Sequence, residues 1–200
     1  MKNKKRIIFF YGWAFDLCAV NNAVDNNAIE FIDYKNVHNF GKYNTCLIWS
    51  LGIKRFERSM EKQKNIPFKQ IIILNSCIEM PRTNVANFIA SLHQDKEKTM
   101  RRFYKLCFYG KPTAFERFSR TCLKQYLKQD KHTLINELET LSQPFNGFHL
   151  LKNAKIKFLI SQKDLIIAPH NSLTLAKTLG ISPQYIDEPH FALSDLSNYI

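Results

Sequence analysis

The sequence predicts an α/β protein: a reduced parallel sheet flanked by helices, with a helical insertion. Three observations carry this. Short apolar runs recur at residues 6–11, 28–33, 45–49, 70–75, 156–161 and 184–186. Segments of crossover length lie between them, which is the pattern of βαβ units. Between about 84 and 146 the apolar residues recur at helical spacing and no run of strand type appears.

In chain order, R-I-I-F-F-Y reads as a buried strand that Gly12 and Trp13 end. A polar, asparagine-rich stretch around 21–27 precedes the second strand. Residues 34–44 read as loop with a helical turn. T-C-L-I-W then forms the third strand, and Ile53, Phe56 and Met60 mark a helix running from Ser50 to about residue 64. Q-I-I-I-L-N is the fourth strand. In the insertion, Phe103, Leu106 and Cys107, then Phe115, Phe118 and Cys122, then Leu134, Leu138 and Leu141 define amphipathic helices, with breaks at Pro81, Pro112 and Pro144. I-K-F-L-I-S resumes the sheet. A helix from Pro169 to about Gly180, a last short strand and a closing helix over 191–199 complete the chain. The expected division is a core of residues 1–83 and 147–200 and a cap or lid of residues 84–146.

Composition narrows the function classes. The 200 residues suffice for one sizeable core, and the 45% hydrophobic content is that of a globular domain. No apolar run is long enough to span a bilayer. The basic start followed by an apolar run imitates a secretory leader, but Gly12 and Asp16 interrupt it, so a cytoplasmic protein is expected. Cys18, Cys46, Cys77 and Cys107 lie among apolar residues without a C-x-x-C pair, and read as small buried hydrophobes, not as a disulfide frame or a metal site. The net charge of +12 points to an anionic partner or to a lysine-rich solvated surface. No nucleic-acid motif accompanies it, so neither nucleic acid nor membrane is the expected partner.

The chemistry sits where strands end. Ser50 stands at a sharp strand-to-helix break, the geometry of a nucleophile elbow, although Ile48 replaces the first glycine of G-x-S-x-G. A serine there is more often a plain N-cap. Asp164 follows a later strand, however, and His190 follows the last. Loops after parallel strands open at one sheet edge, so the three side chains can converge. Their order, Ser…Asp…His, is that of α/β-hydrolases. His190 would take the Ser50 proton and Asp164 would fix the imidazole. His170 is a competing histidine, but lies too close in sequence to Asp164. The backbone N–H groups of Leu51 and Trp13 would form an oxyanion hole.

F-F-Y-G-W-A at 9–14, I-W-S-L-G-I at 48–53, F-Y-G-K-P-T-A-F-E-R-F at 108–118, S-Q-K-D-L-I-I-A-P at 161–169 and E-P-H-F at 188–191 together resemble the small BioG- and BioV-type pimeloyl-acyl carrier protein methyl ester esterases of biotin synthesis. Pro189 departs from the pattern, since such enzymes usually have glycine before the histidine. The resemblance implies an α/β-hydrolase, a serine carboxylesterase without cofactor or metal. It would cleave the methyl ester of pimeloyl carried on the phosphopantetheine arm of acyl carrier protein. A monomer is expected. The insertion carries Arg101, Arg102, Lys105, Arg117 and Arg120 among Phe103, Phe108 and Phe115. A basic outer face would dock the acidic carrier and an apolar inner face would pass the acyl chain. The alternative is an esterase or thioesterase acting on free small acyl substrates.

Overall fold

The computed structural model describes residues 5–23, 29–61, 63, 66–152 and 154–193. Six strands form one sheet: β1 (Lys5–Phe10), β2 (Ile29–Asp33), β3 (Thr45–Trp49), β4 (Gln70–Leu74), β5 (Lys155–Ser161) and β6 (Gln184–Ile186). All neighbours pair in parallel, in the order β2-β1-β3-β4-β5-β6. From β1, second from one edge, the chain goes out to the edge strand β2 and returns to the other side of β1. The order therefore reverses between β1 and β3, and a crevice opens at their carboxyl ends.

Period-two alternation sends successive side chains to opposite faces, and both faces are covered. Ile7, Phe9, Leu47, Trp49, Ile72 and Leu74 pack into the core under the insertion, while Ile8, Phe10, Cys46, Ile48, Ile71 and Ile73 pack against the helices of the other face. Those helices are α2 (Gly52–Met60) and α8 (Pro169–Thr178). Gly52 lets α2 lie on the sheet, because a Cβ there would stand 1.9 Å from the Phe10 carbonyl oxygen. Ile48, at the position where the elbow pattern has glycine, is fully buried between Phe10 and Ile73 in the sheet register.

Helix α1 (Leu17–Ala23) occupies part of the asparagine-rich stretch read from the sequence as merely polar. Asp16 caps it, its Oδ1 accepting from Cys18 N at 2.8 Å and Ala19 N at 3.2 Å. Cys18 consequently faces solvent and is not a buried hydrophobe, whereas Cys46, Cys77 and Cys107 are buried. Helix α2 ends at Met60, the last apolar residue of its buried face, short of the expected residue 64. The closing helix expected over 191–199 lies outside the described residues beyond 193.

The insertion comprises α3 (Arg82–Gln94), α4 (Lys96–Cys107), α5 (Pro112–Phe118), a π-turn (Ser119–Leu123), α6 (Lys124–Tyr126) and α7 (Lys131–Glu139). Its two connections to the core are zipped together. Met80 N donates to Leu141 O at 2.7 Å and Phe145 N to Ile78 O at 2.9 Å. Buried Lys54 of α2 ties both, donating to Ile78 O at 3.2 Å and Gln143 O at 2.5 Å. Among the described residues no helix is long and apolar enough to cross a membrane.

Buried phenols link the insertion to the core. Tyr104 donates to Ala14 O at 2.8 Å and Tyr126 donates to the Asp16 carboxylate. Burial holds the Tyr11, Tyr104 and Tyr126 hydroxyls above the ordinary tyrosine range, with the Asp16 charge adding to the effect at Tyr126. Above the unfolded tyrosine pKa of about 10, the unfolded chain releases protons that the folded chain keeps. Stability is therefore intact below that pH and falls as pH rises through it, by at most about 1.4 kcal/mol per pH unit for each tyrosine. Urea unfolding at pH 9, 10 and 11 should show this decline, and Tyr104→Phe should make it shallower. A slope that Tyr104→Phe leaves unchanged would remove Tyr104 from the effect.

Candidate active site

Ser50 is the first residue past β3, and its φ of 57° lies in the left-handed region. A β-carbon is disfavoured there, so the turn is held by its surroundings. Ser50 N donates to Leu74 O at 3.1 Å, and Ser76 Oγ donates to Ser50 O at 3.1 Å. Both bonds come from the β4 side. On the β1 side the register that pairs Phe10 with Ile48 brings Gly12 opposite Ser50. A Cβ on Gly12 would stand 3.0 Å from Ser50 Cβ and 3.4 Å from its Oγ, so glycine leaves the hydroxyl its room. Helix α2 begins at Gly52 with its N-terminal N–H groups beside the serine.

Asp164 and His190 meet each other past the carboxyl ends of β5 and β6. His190 Nδ1 lies 2.7 Å from Asp164 Oδ2, and both side chains are almost completely buried. Asp164 Oδ1 accepts from Ile166 N at 2.7 Å and Ile167 N at 2.8 Å, so each carboxylate oxygen is engaged. With the carboxylate accepting, Nδ1 carries the proton and Nε2 is left as the basic nitrogen. The His190 carbonyl is anchored to the nucleophile strand: Trp49 Nε1 donates to it at 3.0 Å, and the Trp49 and His190 rings lie 5.3 Å apart. Asn75 Nδ2 also donates to it, at 3.2 Å. The same Asn75 amide exchanges hydrogen bonds with Ser161, Nδ2 to Oγ at 2.8 Å and Ser161 N to Oδ1 at 2.8 Å. One buried asparagine thus braces the ends of β4 and β5 and the histidine turn.

The insertion holds that turn from above. Phe191 N donates to Cys107 O at 2.9 Å, and Phe108 stacks on Phe191 at 4.3 Å. Lys111 pairs with the buried Glu188 at 2.8 Å. His170, the competing histidine, lies in the first turn of α8, where its carbonyl accepts from Thr174 Oγ1. Among the described residues no group of three His, Cys, Asp or Glu side chains is placed to hold a metal ion.

A cavity of about 790 Å³ opens over Ser50. Trp13, Val85, Phe88, Phe103, Leu106 and Leu138 form apolar walls, and Asp95, Lys98 and Arg102 also line it. Of the insertion residues expected from the sequence to bind substrate or carrier, Arg102 and Phe103 line it. Phe108 and Phe115 face each other at 5.8 Å, and Phe108 stacks on Phe118 and Phe191, so these rings pack the insertion onto the core. Arg101 and Arg120 are exposed and paired with Glu97 and Glu116 one turn before them, while Lys105 and Arg117 are exposed. Lys98, Asn84 and Asn87 were not singled out in the sequence. Helical spacing shows which residues are apolar, but not which face of α3 turns toward α4.

No family model matches the chain, and no curated protein sequence matches it. Solved structures do. BioG from Haemophilus influenzae superposes with a TM-score of 0.64 at 20% identity, over 96% of this chain and 92% of that one. The esterase EaEST from Exiguobacterium antarcticum gives 0.73 at 12% identity, over 99% and 89%. An enol-lactonase from Burkholderia xenovorans gives 0.69 at 12% identity, over 98% and 88%. The fold is that of the α/β-hydrolases and of BioG, as the sequence resemblance implies.

Proposed function

We propose that this protein is a serine carboxylesterase that hydrolyses the methyl ester of a pimeloyl chain borne by acyl carrier protein. One observation carries the ester chemistry: a buried Asp164–His190 pair on the turn that Trp49, the neighbour of Ser50, holds by a hydrogen bond, with Ser50 itself in a strained turn that lines an apolar-walled cavity. Ser50 Oγ attacks the ester carbonyl as His190 Nε2 takes its proton. Methanol leaves with that proton, and water then cleaves the acyl-enzyme by the same relay in reverse. The N–H groups of Leu51 and Trp13 receive the oxyanion.

The shape of the cavity supports a carried substrate. The carboxyl end of α4 contacts the histidine turn through Cys107 O, and Lys98 lies toward its other end. From Leu106 to Lys98 the helix rises about 12 Å, enough for an extended diacid chain. Lys98 and Arg102 then stand on one face of α4 at the far rim. There the thioester end of the chain would emerge, and the two cations would draw in the acidic carrier. Docking would fix the depth of insertion, so that the distal ester and not the thioester reaches Ser50.

The test is hydrolysis of methyl-pimeloyl-carrier protein beside a free methyl ester, in rising salt. KM for the carried substrate should rise with salt while that of the free ester holds, because exposed charges are screened. Lys98→Glu with Arg102→Glu should raise KM for the carried substrate by about tenfold, equivalent to about 1.4 kcal/mol. Equal salt responses would favour an esterase of free acyl substrates. Equal rates on much shorter carried diacid esters would remove the depth argument.

A further inference from the structure

We infer that Arg55 is a positioning residue for the oxyanion hole, fixing the Gly12–Trp13 peptide and tying it to helix α7 of the insertion. The inference rests on the esterase reading above.

Arg55 lies on α2, five residues after Ser50, with its side chain only 10% exposed. Its Nη1 donates to two successive carbonyls of the loop after β1, Tyr11 O at 3.0 Å and Gly12 O at 3.2 Å. Its Nη2 donates to both carboxylate oxygens of Glu137 on α7, at 2.9 and 3.0 Å. The guanidinium also lies over the Tyr11 ring at 4.6 Å. A planar fork held at three edges has little freedom to turn.

The consequence follows from peptide geometry. The Gly12 carbonyl and the Trp13 N–H belong to one peptide unit, and no cis bond occurs among the described residues. In a trans unit the two groups point in opposite directions. A guanidinium that holds the carbonyl on one side therefore aims the N–H to the other, away from the guanidinium. Gly12 stands against Ser50, and Trp13 lines the cavity. The cation also polarises the carbonyl and so strengthens its partner N–H as a donor. Glycine at position 12 would otherwise leave this unit free to rotate.

The rest of the loop is held in the same way. Trp13 Nε1 donates to Leu134 O of α7 at 2.9 Å, and Tyr104 donates to Ala14 O at 2.8 Å. Ala14 itself has a φ of 58°. The loop is thus fixed by groups of α2 and the insertion, and α7 grips it twice: directly at Trp13 and through Glu137 and Arg55.

Three proteins test this with p-nitrophenyl acetate and with a phenylboronic acid, which forms a tetrahedral adduct on an active serine. Arg55→Met keeps the stem over Tyr11 and removes every donor. It should lower kcat and boronate affinity together by about 10–100-fold, less than outright loss of an oxyanion donor, with KM within about twofold. Arg55→Lys should restore part of both. A folded methionine variant with wild-type kcat and boronate affinity, or one in which only Tm falls, overturns the inference. If the methionine variant does not fold, the lysine variant decides: it should lose about three- to tenfold in both readouts, and wild-type values overturn the inference. A wild-type protein inert toward the ester and unlabelled at Ser50 by a fluorophosphonate would instead overturn the esterase reading, and this inference with it.

Discussion

Ser50→Ala is expected to lower kcat by roughly 10⁴–10⁶-fold, with little change in the folded structure. Alanine keeps the β-carbon, so the contact with Gly12 and the left-handed turn at φ 57° both remain. Only the hydroxyl is lost. Ser50→Gly separates the two contributions. It should be equally inactive yet more stable, by roughly 1 kcal/mol, because glycine adopts that turn without strain. Hydrolysis rates and urea unfolding of both variants check this. A fluorophosphonate adduct mapped by mass spectrometry should fall on Ser50, and a label on another residue would reassign the nucleophile.

Asp164→Asn is the second large effect, expected to cost roughly 10⁴-fold in kcat. The hydrogen bonds explain why the fold should survive. Oδ1 accepts from two backbone N–H groups, Ile166 and Ile167, and only an oxygen serves there. The asparagine amide oxygen will take that place and its NH₂ will face His190 Nδ1, now 2.7 Å from Oδ2. An NH₂ group there donates, so Nδ1 must accept. The ring proton then moves to Nε2, the atom needed as base toward Ser50. Near-normal activity in a folded Asp164→Asn protein would take the carboxylate out of the reaction.

The sheet was readable because apolar runs such as C-L-I-W and Q-I-I-I-L belong to strands covered on both faces, which need no alternation to be recognised. Ser50, Asp164 and His190 could be assigned to one sheet edge because each follows a strand and all the strands run parallel. Helix α1 was hidden by Asn21 and Asn22, which are poor helix formers, although Asp16 followed by Leu17 was an available start signal. The cavity lining could not be read. It depends on how α3 and α4 are turned about their axes, so Lys98 was passed over and Phe108 and Phe115 were placed with the substrate. The Arg55–Glu137 pair spans 82 positions in sequence, and nothing local to either residue announces the other.

The bond from Phe191 to Cys107, the Phe108–Phe191 stack and the Lys111–Glu188 pair have a practical corollary. The segment over the crevice is part of the scaffold of the His190 turn, not a detachable accessory. Pruning it to widen substrate scope would sacrifice turnover itself. Any redesign aiming at broader specificity should recarve the inner wall along α3, where Val85 and Phe88 line the chamber, and leave the carboxyl end of α4 alone.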